Sequence, residues 1–268
     1  MSTALHTLCS APPSGRSRPL LIDSDDYARQ VIRQGSPVPW LDLAALTSHV
    51  GQVQALLRSD AVWVNIGALY RAHLAAEPGL VKEMGVKSRA GFALRTLLGH
   101  DATTASVVHT LSTLASATRL PLVLDLPSPA RWLAAAHATA GTALEEVSED
   151  HADSASMYIA QWLGTLGAIP VALVHLDATE QEGEAATAAE SLSTYTSVSN
   201  ITDHFEWALA LRRGTEVHSA LSDVSIGVLG REYWSGPAAI PSDDVLLTQL
   251  PAQATPEVVL AQLAALPS

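Results

Sequence analysis

Cysteine is all but missing from this chain. Cys9 stands alone, so no disulfide can form within it and a cysteine-rich zinc site is excluded. Lysine is almost as scarce, with Lys82 and Lys87 the only two. No run of Lys and Arg occurs, and phosphate-backbone binding needs clustered cations, so nucleic acid is not an expected partner. Neither lysine follows an expected strand, which argues against Schiff-base chemistry. Every apolar run is broken before the roughly 18 residues of a membrane span. The first 18 residues lack the basic start and apolar core of a secretory signal, so a cytoplasmic protein is expected. Also missing are a Gly-x-Gly-x-x-Gly fingerprint, a Gly-x-x-x-x-Gly-Lys phosphate loop, a Gly-x-Ser-x-Gly elbow and a His-Glu-x-x-His pair. The 27 acidic residues outnumber the 15 basic ones, for a formal net charge of -12.

What is present is a repeated phrase: a short apolar run, one polar residue, then a turn signal. It occurs at Val38–Asp42, Val62–Asn65, Leu122–Asp125, Val171–Asp177, Val224–Arg231 and Val245–Gln249. Helix-like stretches separate most of these runs. Among them are Asp23–Gln34 before Gly35, Leu43–Leu57, and a helix from Asp101 with Val107, Leu111 and Leu114 on one face. Ala130–Ala140, Ser148–Leu166, an acidic Glu180–Leu192, Ile201–Arg213 and a helix starting at Thr255-Pro256-Glu257 complete the set. Gly91-Phe-Ala-Leu reads as a weak strand and Glu216-Val-His218 as an ambiguous one. Buried strands alternating with helices predict a single α/β domain with about eight strands, a (β/α)8 TIM-like barrel over residues 20–268. Residues 1–19 read as a flexible N-terminal arm, Ser10–Pro19 being rich in proline, glycine and serine.

Such folds put their chemistry at the carboxyl ends of the strands, where the polar residues sit. Side chains alternate along a strand, so His175 and Asp177 share a face with Val171 and Leu173. A carboxylate beside His175 favours the imidazolium and burial opposes it, so the pair can supply a proton near neutral pH. Asp125, Asn65, Asp42 and Gln249 end the other runs and are candidates for binding substrate. The competing reading gives each a local role, capping the next helix or bonding a loop amide. Arg71, just after the second run, can grip a carboxylate with two hydrogen bonds. Tyr233, in the Arg231-Glu-Tyr-Trp loop, is a candidate for the pocket rim.

The order of elements resembles the superfamily of uroporphyrinogen decarboxylase and cobalamin-independent methionine synthase. Leu122-Val-Leu-Asp-Leu-Pro-Ser-Pro129 is similar to that family's strand ending in a Pro-x-Pro turn. Residues 151–177 resemble the helix and strand that end in an active-site aspartate, and Asp244–Leu266 is similar to the final strand and helix. The decarboxylases' Arg-Gln-Ala-Gly-Arg motif has no counterpart here, and the zinc-binding cysteines of the methionine synthases are missing. The resemblance implies a barrel with a pocket for a small, anionic organic molecule.

The function expected is acid/base chemistry of decarboxylase or lyase type on a small carboxylate-bearing molecule, with no organic cofactor. His175, Asp177 and Asp125 are the catalytic candidates. Two alternatives stand beside it: a methyl- or alkyl-transferase using a corrinoid partner or a metal, and a non-catalytic barrel subunit. A metal held by His175, Asp177 and another strand-end acid is a further reading. Weak early strands and a charged fraction of 16% suit a homodimer.

Overall fold

A computed structural model describes residues 3–180, 185–236 and 238–267. The chain opens with a helix, α1 (Ala4–Ser10), fixed by a capping box between Thr3 and His6. Strand β1 (Leu20–Asp23) leads into α2 (Asp25–Val31) and α3 (Leu43–Leu57). Next come β2 (Val62–Asn65), α4 (Ile66–Ala76), α5 (Pro78–Met84), α6 (Phe92–Leu98) and α7 (Asp101–Thr118). Strand β3 (Leu122–Pro127) is followed by α8 (Pro129–Thr139), which Ser128 caps with proline at its first position. A two-residue β4 (Glu146–Val147) precedes α9 (Glu149–Leu163), β5 (Val171–Asp177) and β6 (Ala186–Thr187). The chain ends with α10 (Thr196–His204), β7 (Ala208–Arg213), β8 (Glu216–Ser219), β9 (Ile226–Leu229), β10 (Val245–Gln249) and α11 (Pro256–Ala265).

The result is a mixed α/β domain rich in parallel strand pairs. One sheet runs β1-β10-β9, all parallel; another runs β2-β3-β5-β7, parallel, with β8 added antiparallel at its edge. β4 and β6 form a separate pair. The two larger sheets share one interior. Leu21 and Leu247 from one and Trp63, Val123, Leu173 and Ala210 from the other belong to the same buried cluster. Their alternate residues face a second apolar layer beneath the helices, so both faces of the strands are covered. At the Leu122/Val123 step the register slips, and Ala172 and Leu173 both join the inner cluster while Val171 packs outward. Val171 therefore leaves the face expected for it, whereas His175 stays in register with Asp125.

Several expectations change. Of the expected arm 1–19, residues 1–2 lie outside the described residues, and residues 3–19 are not loose: Leu5 and Leu8 of α1 are buried in the inner cluster beneath the strands. Residues 37–42 form turns rather than a strand, because Pro37 and Pro39 withhold donors and β1 already fills the place beside β10. Gly91-Phe-Ala-Leu enters helix α6 instead of a strand. The stretch 201–213, expected to be helical throughout, divides into the end of α10 and strand β7. Of the expected acidic helix 180–192, residues 181–184 lie outside the described residues, and Ala186–Thr187 is a strand. Among the described residues no helix is long and apolar enough to cross a membrane.

One side chain joins the N-terminal segment to the sheets. Asp60, fully buried, accepts hydrogen bonds from Ser14 N (2.7 Å), Ser14 Oγ (3.0 Å) and Leu20 N (2.8 Å). Arg16 Nη1 lies 3.7 Å from the same carboxylate, and Asp60 N donates to Leu20 O. Asp60→Ala removes the acceptor for three donors, leaving Leu20 N buried without a partner and Arg16 without its counter-charge, so it should cost about 3–5 kcal/mol in urea denaturation. Leu5→Ala should cost about 2–4 kcal/mol, the value for a large-to-small change in a core rather than in a mobile tail.

Candidate functional site

The strand ends converge. In register, Asn65 of β2 lies beside Asp125 of β3, Asp125 beside His175 of β5, and Asp23 of β1 beside Gln249 of β10. Each continues an inner-facing row: Leu21 before Asp23, Trp63 before Asn65, Val123 before Asp125, Leu247 before Gln249. A cavity of about 140 Å³ opens at this end, walled by Asn65, Arg71, Asp125, Arg131, Asp177 and Thr179.

Asp125 and His175 form a close polar pair across two strands of the mouth. His175 Nδ1 lies 2.7 Å from Asp125 Oδ1, and since a carboxylate can only accept, the nitrogen donates. His175 is buried, its ring 5.1 Å from that of Trp63, and its Nε2 has no hydrogen-bond partner among the described residues. The partner of His175 is thus Asp125 on the neighbouring strand, not Asp177 two residues along its own. His175 sits one layer below the cavity, where it orients Asp125. The second oxygen of Asp125 is left for the cavity it lines.

Two further carboxyl groups stand beside this pair. Asp23 accepts from Gln249 Nε2 (3.0 Å) and from Asp25 N (3.3 Å). Burial, and next the charge of Asp125, outweigh those bonds and push its carboxyl up to about 7. Asp25 is raised well above the usual carboxylate range by burial, then by Asp23 and Asp125, with Arg71 opposing. Gln249 is itself held: Arg231 donates to its Oε1. Arg71 makes no hydrogen bond or ion pair among the described residues and folds over Gly67, where a Cβ would lie 3.3 Å from its Nη1. On the opposite wall Arg131 is buried between Glu180 (3.7 Å) and Glu190 (3.9 Å). Burial raises the Glu190 carboxyl despite its bonds with Ser128 and Tyr195, and Tyr195 Oη donates to it.

Other candidates have local duties. Asn65 Oδ1 accepts from Ala68 N and caps α4, while the residue still lines the cavity. Asp177 Oδ1 accepts from Thr179 N at the cavity edge. Asp42 lies away from the mouth: it is exposed and caps α3 through Ala45 N, as the loss of the expected strand requires. Tyr233 is buried in the outer layer against α11, its hydroxyl donating to Gln262 O, and does not reach the rim of the cavity.

No family model, curated protein or solved structure matches the chain. Among the described residues no group of three or more His, Cys, Asp or Glu side chains is disposed to hold a metal ion.

Asp23 and Asp25 were not among the expected site residues. Leu20-Leu-Ile-Asp23 repeats the signal phrase in full, yet the two acids that follow read as the first turn of a helix. Arg131 carried no signal beyond its place after a Pro-x-Pro turn.

The raised carboxyl of Asp23 has a measurable consequence for stability. The folded state binds its proton more tightly than the unfolded chain does, so the stability it confers is complete below the unfolded value of 3.8 and is lost as pH rises through about 7. Asp23→Asn removes the buried charge and keeps an acceptor oxygen. It should stabilise the protein by up to about 4 kcal/mol at pH 8 and by almost nothing at pH 4, read from denaturation at both.

Proposed function

We propose that the two sheets close into a (β/α)8-type barrel in which β8 takes the place of one parallel strand. Its mouth is a lyase site, decarboxylase-like, for a small molecule bearing carboxylates. Closure is supported by the shared inner cluster and by β1 lying beside β2 and β8 beside β9. The observation that carries the chemistry is the grouping at the strand ends: Asp125, oriented by His175, and Arg71, with no hydrogen bond or ion pair among the described residues, on the cavity wall, and behind them the buried Asp23, whose carboxyl is pushed up to about 7 by burial and the charge of Asp125.

In this reading Arg71 grips a carboxylate that takes no part in the reaction. A 3-oxo acid supplies its own electron sink. As the bond to the departing carboxylate breaks, CO2 leaves and its electron pair passes from the α-carbon into the substrate's carbonyl, giving an enolate whose pair returns to the α-carbon as that carbon is protonated. Asp23 gives its proton to that carbon and becomes a carboxylate, which takes up a new proton before the next cycle. A placed acid of this kind contributes roughly 10²–10⁴-fold. Asp125 and Asp177 on the cavity wall repel the departing carboxylate and assist its loss. His175 is a positioning residue acting through Asp125.

Release of CO2 from oxaloacetate and acetoacetate tests the proposal. Asp23→Asn should lower kcat on the order of a hundredfold with KM little changed. Arg71→Met should raise KM for the dicarboxylate at least tenfold and leave the monocarboxylate almost unaffected, since it removes a binding contact alone. A wild-type protein that releases no CO2 from either acid and binds no malonate by ligand-detected NMR would remove the reading.

A further inference from the structure

Strands β1 and β2 are neighbours that belong to different sheets. The backbone joins them at their starts, where Asp60 N donates to Leu20 O, and among the described residues no ladder continues from there. Helix α3 covers the seam from outside. Between helix and strands lies a slot of about 30 Å³, with Asp25 and Trp63 on its inner side and His49 and Gln54 supplied by α3. Three atoms of these side chains are buried without a hydrogen-bond partner among the described residues: His49 Nδ1, Gln54 Oε1 and Trp63 Nε1. Buried polar groups are rarely left unpaired, and three around one slot point to a common partner. The indole nitrogen donates, the amide oxygen accepts, and an imidazole nitrogen does either. A water molecule satisfies all three and needs roughly 10–15 Å³ of such space, so this slot has room for two.

We propose that this slot is the proton supply of the mouth, with two ordered waters held by Trp63, Gln54 and His49 linking Asp25 to the surface beside α3. The inference rests on the reading of the mouth as an acid/base site. Asp25 lines the slot and not the 140 Å³ cavity, so water reaches it from behind even when a substrate fills that cavity. Each water takes one proton and passes one on, so nothing accumulates along the path. His49, 6% exposed, forms its outer end. Burial, and then the charge of Arg33, lower the pKa of His49, so it passes a proton on rather than retaining it.

Hydrogen–deuterium exchange of the indole N–H groups tests the slot, with Trp63 assigned through Trp63→Phe. The buried Trp234 Nε1, bonded to Thr248 Oγ1 (2.9 Å), is the internal standard. Trp63 should exchange at least a hundredfold faster than Trp234, and His49→Phe should slow it at least tenfold. Equal protection of Trp63 and Trp234 in the wild type would mean a dry slot and overturn the proposal, as would a rate that His49→Phe leaves unchanged. A separate measurement addresses Asp25: the infrared carbonyl band of a protonated carboxyl at pH 7, missing from Asp25→Asn. If the wild type lacks that band, Asp25 carries no proton and the supply role falls, whatever the waters do.

Discussion

The arrangement hinges on a buried carboxylate that does not line the strand-end cavity. Asp60 collects the amides of Ser14 and Leu20, the hydroxyl of Ser14 and the approach of Arg16, while its own amide reaches Leu20 O. A buried charge is tolerated when its lone pairs are occupied, and here the occupants come from the N-terminal segment and the first strand. The bonding of Asp60 fixes where β1 begins against β2. The depth at which β1 starts sets the height at which Asp23 emerges, and so its place beside Gln249 and Asp125. A floor-level constraint thus positions a group at the opposite end of the strands.

The mouth is assembled by alternation. Strands covered on both faces must carry apolar side chains wherever they are covered, and the inner face stops being covered only at the strand ends. Polar residues collect there: Asp23, Asn65, Asp125, Asp177 and Gln249. Crowding acids in a poorly solvated place raises the cost of charging them, so burial and the neighbouring carboxylates raise the carboxyls of Asp23 and Asp25. Arg71 is the counterweight, and Gly67 gives it room to lie over the turn beside Pro127.

Much of this was legible in the sequence. The runs at Val62, Leu122, Val171 and Val245 are strands, and Asp125 and His175 meet as neighbours at their ends. Which acid His175 joins could not be read, because periodicity within β5 favours Asp177 while the pairing is decided across strands by register. β7 was lost because Ala208, Leu209, Ala210 and Leu211 suit a helix as well as a strand; small inner residues are what the crowded interior demands there. Val38–Asp42 mimicked the strand signal, but its prolines cannot join a ladder. Asp23 was visible as the end of an apolar run and was obscured by the helix that begins two residues later. α1 was hidden by the proline- and serine-rich residues after it, which mark a connection rather than disorder.

Leu5 and Leu8 stop the lower end of the interior as a cork stops a bottle. The strand-end cavity is thus the polar opening of that interior among the described residues, and for the proposed site a product would leave by the opening through which the next substrate enters.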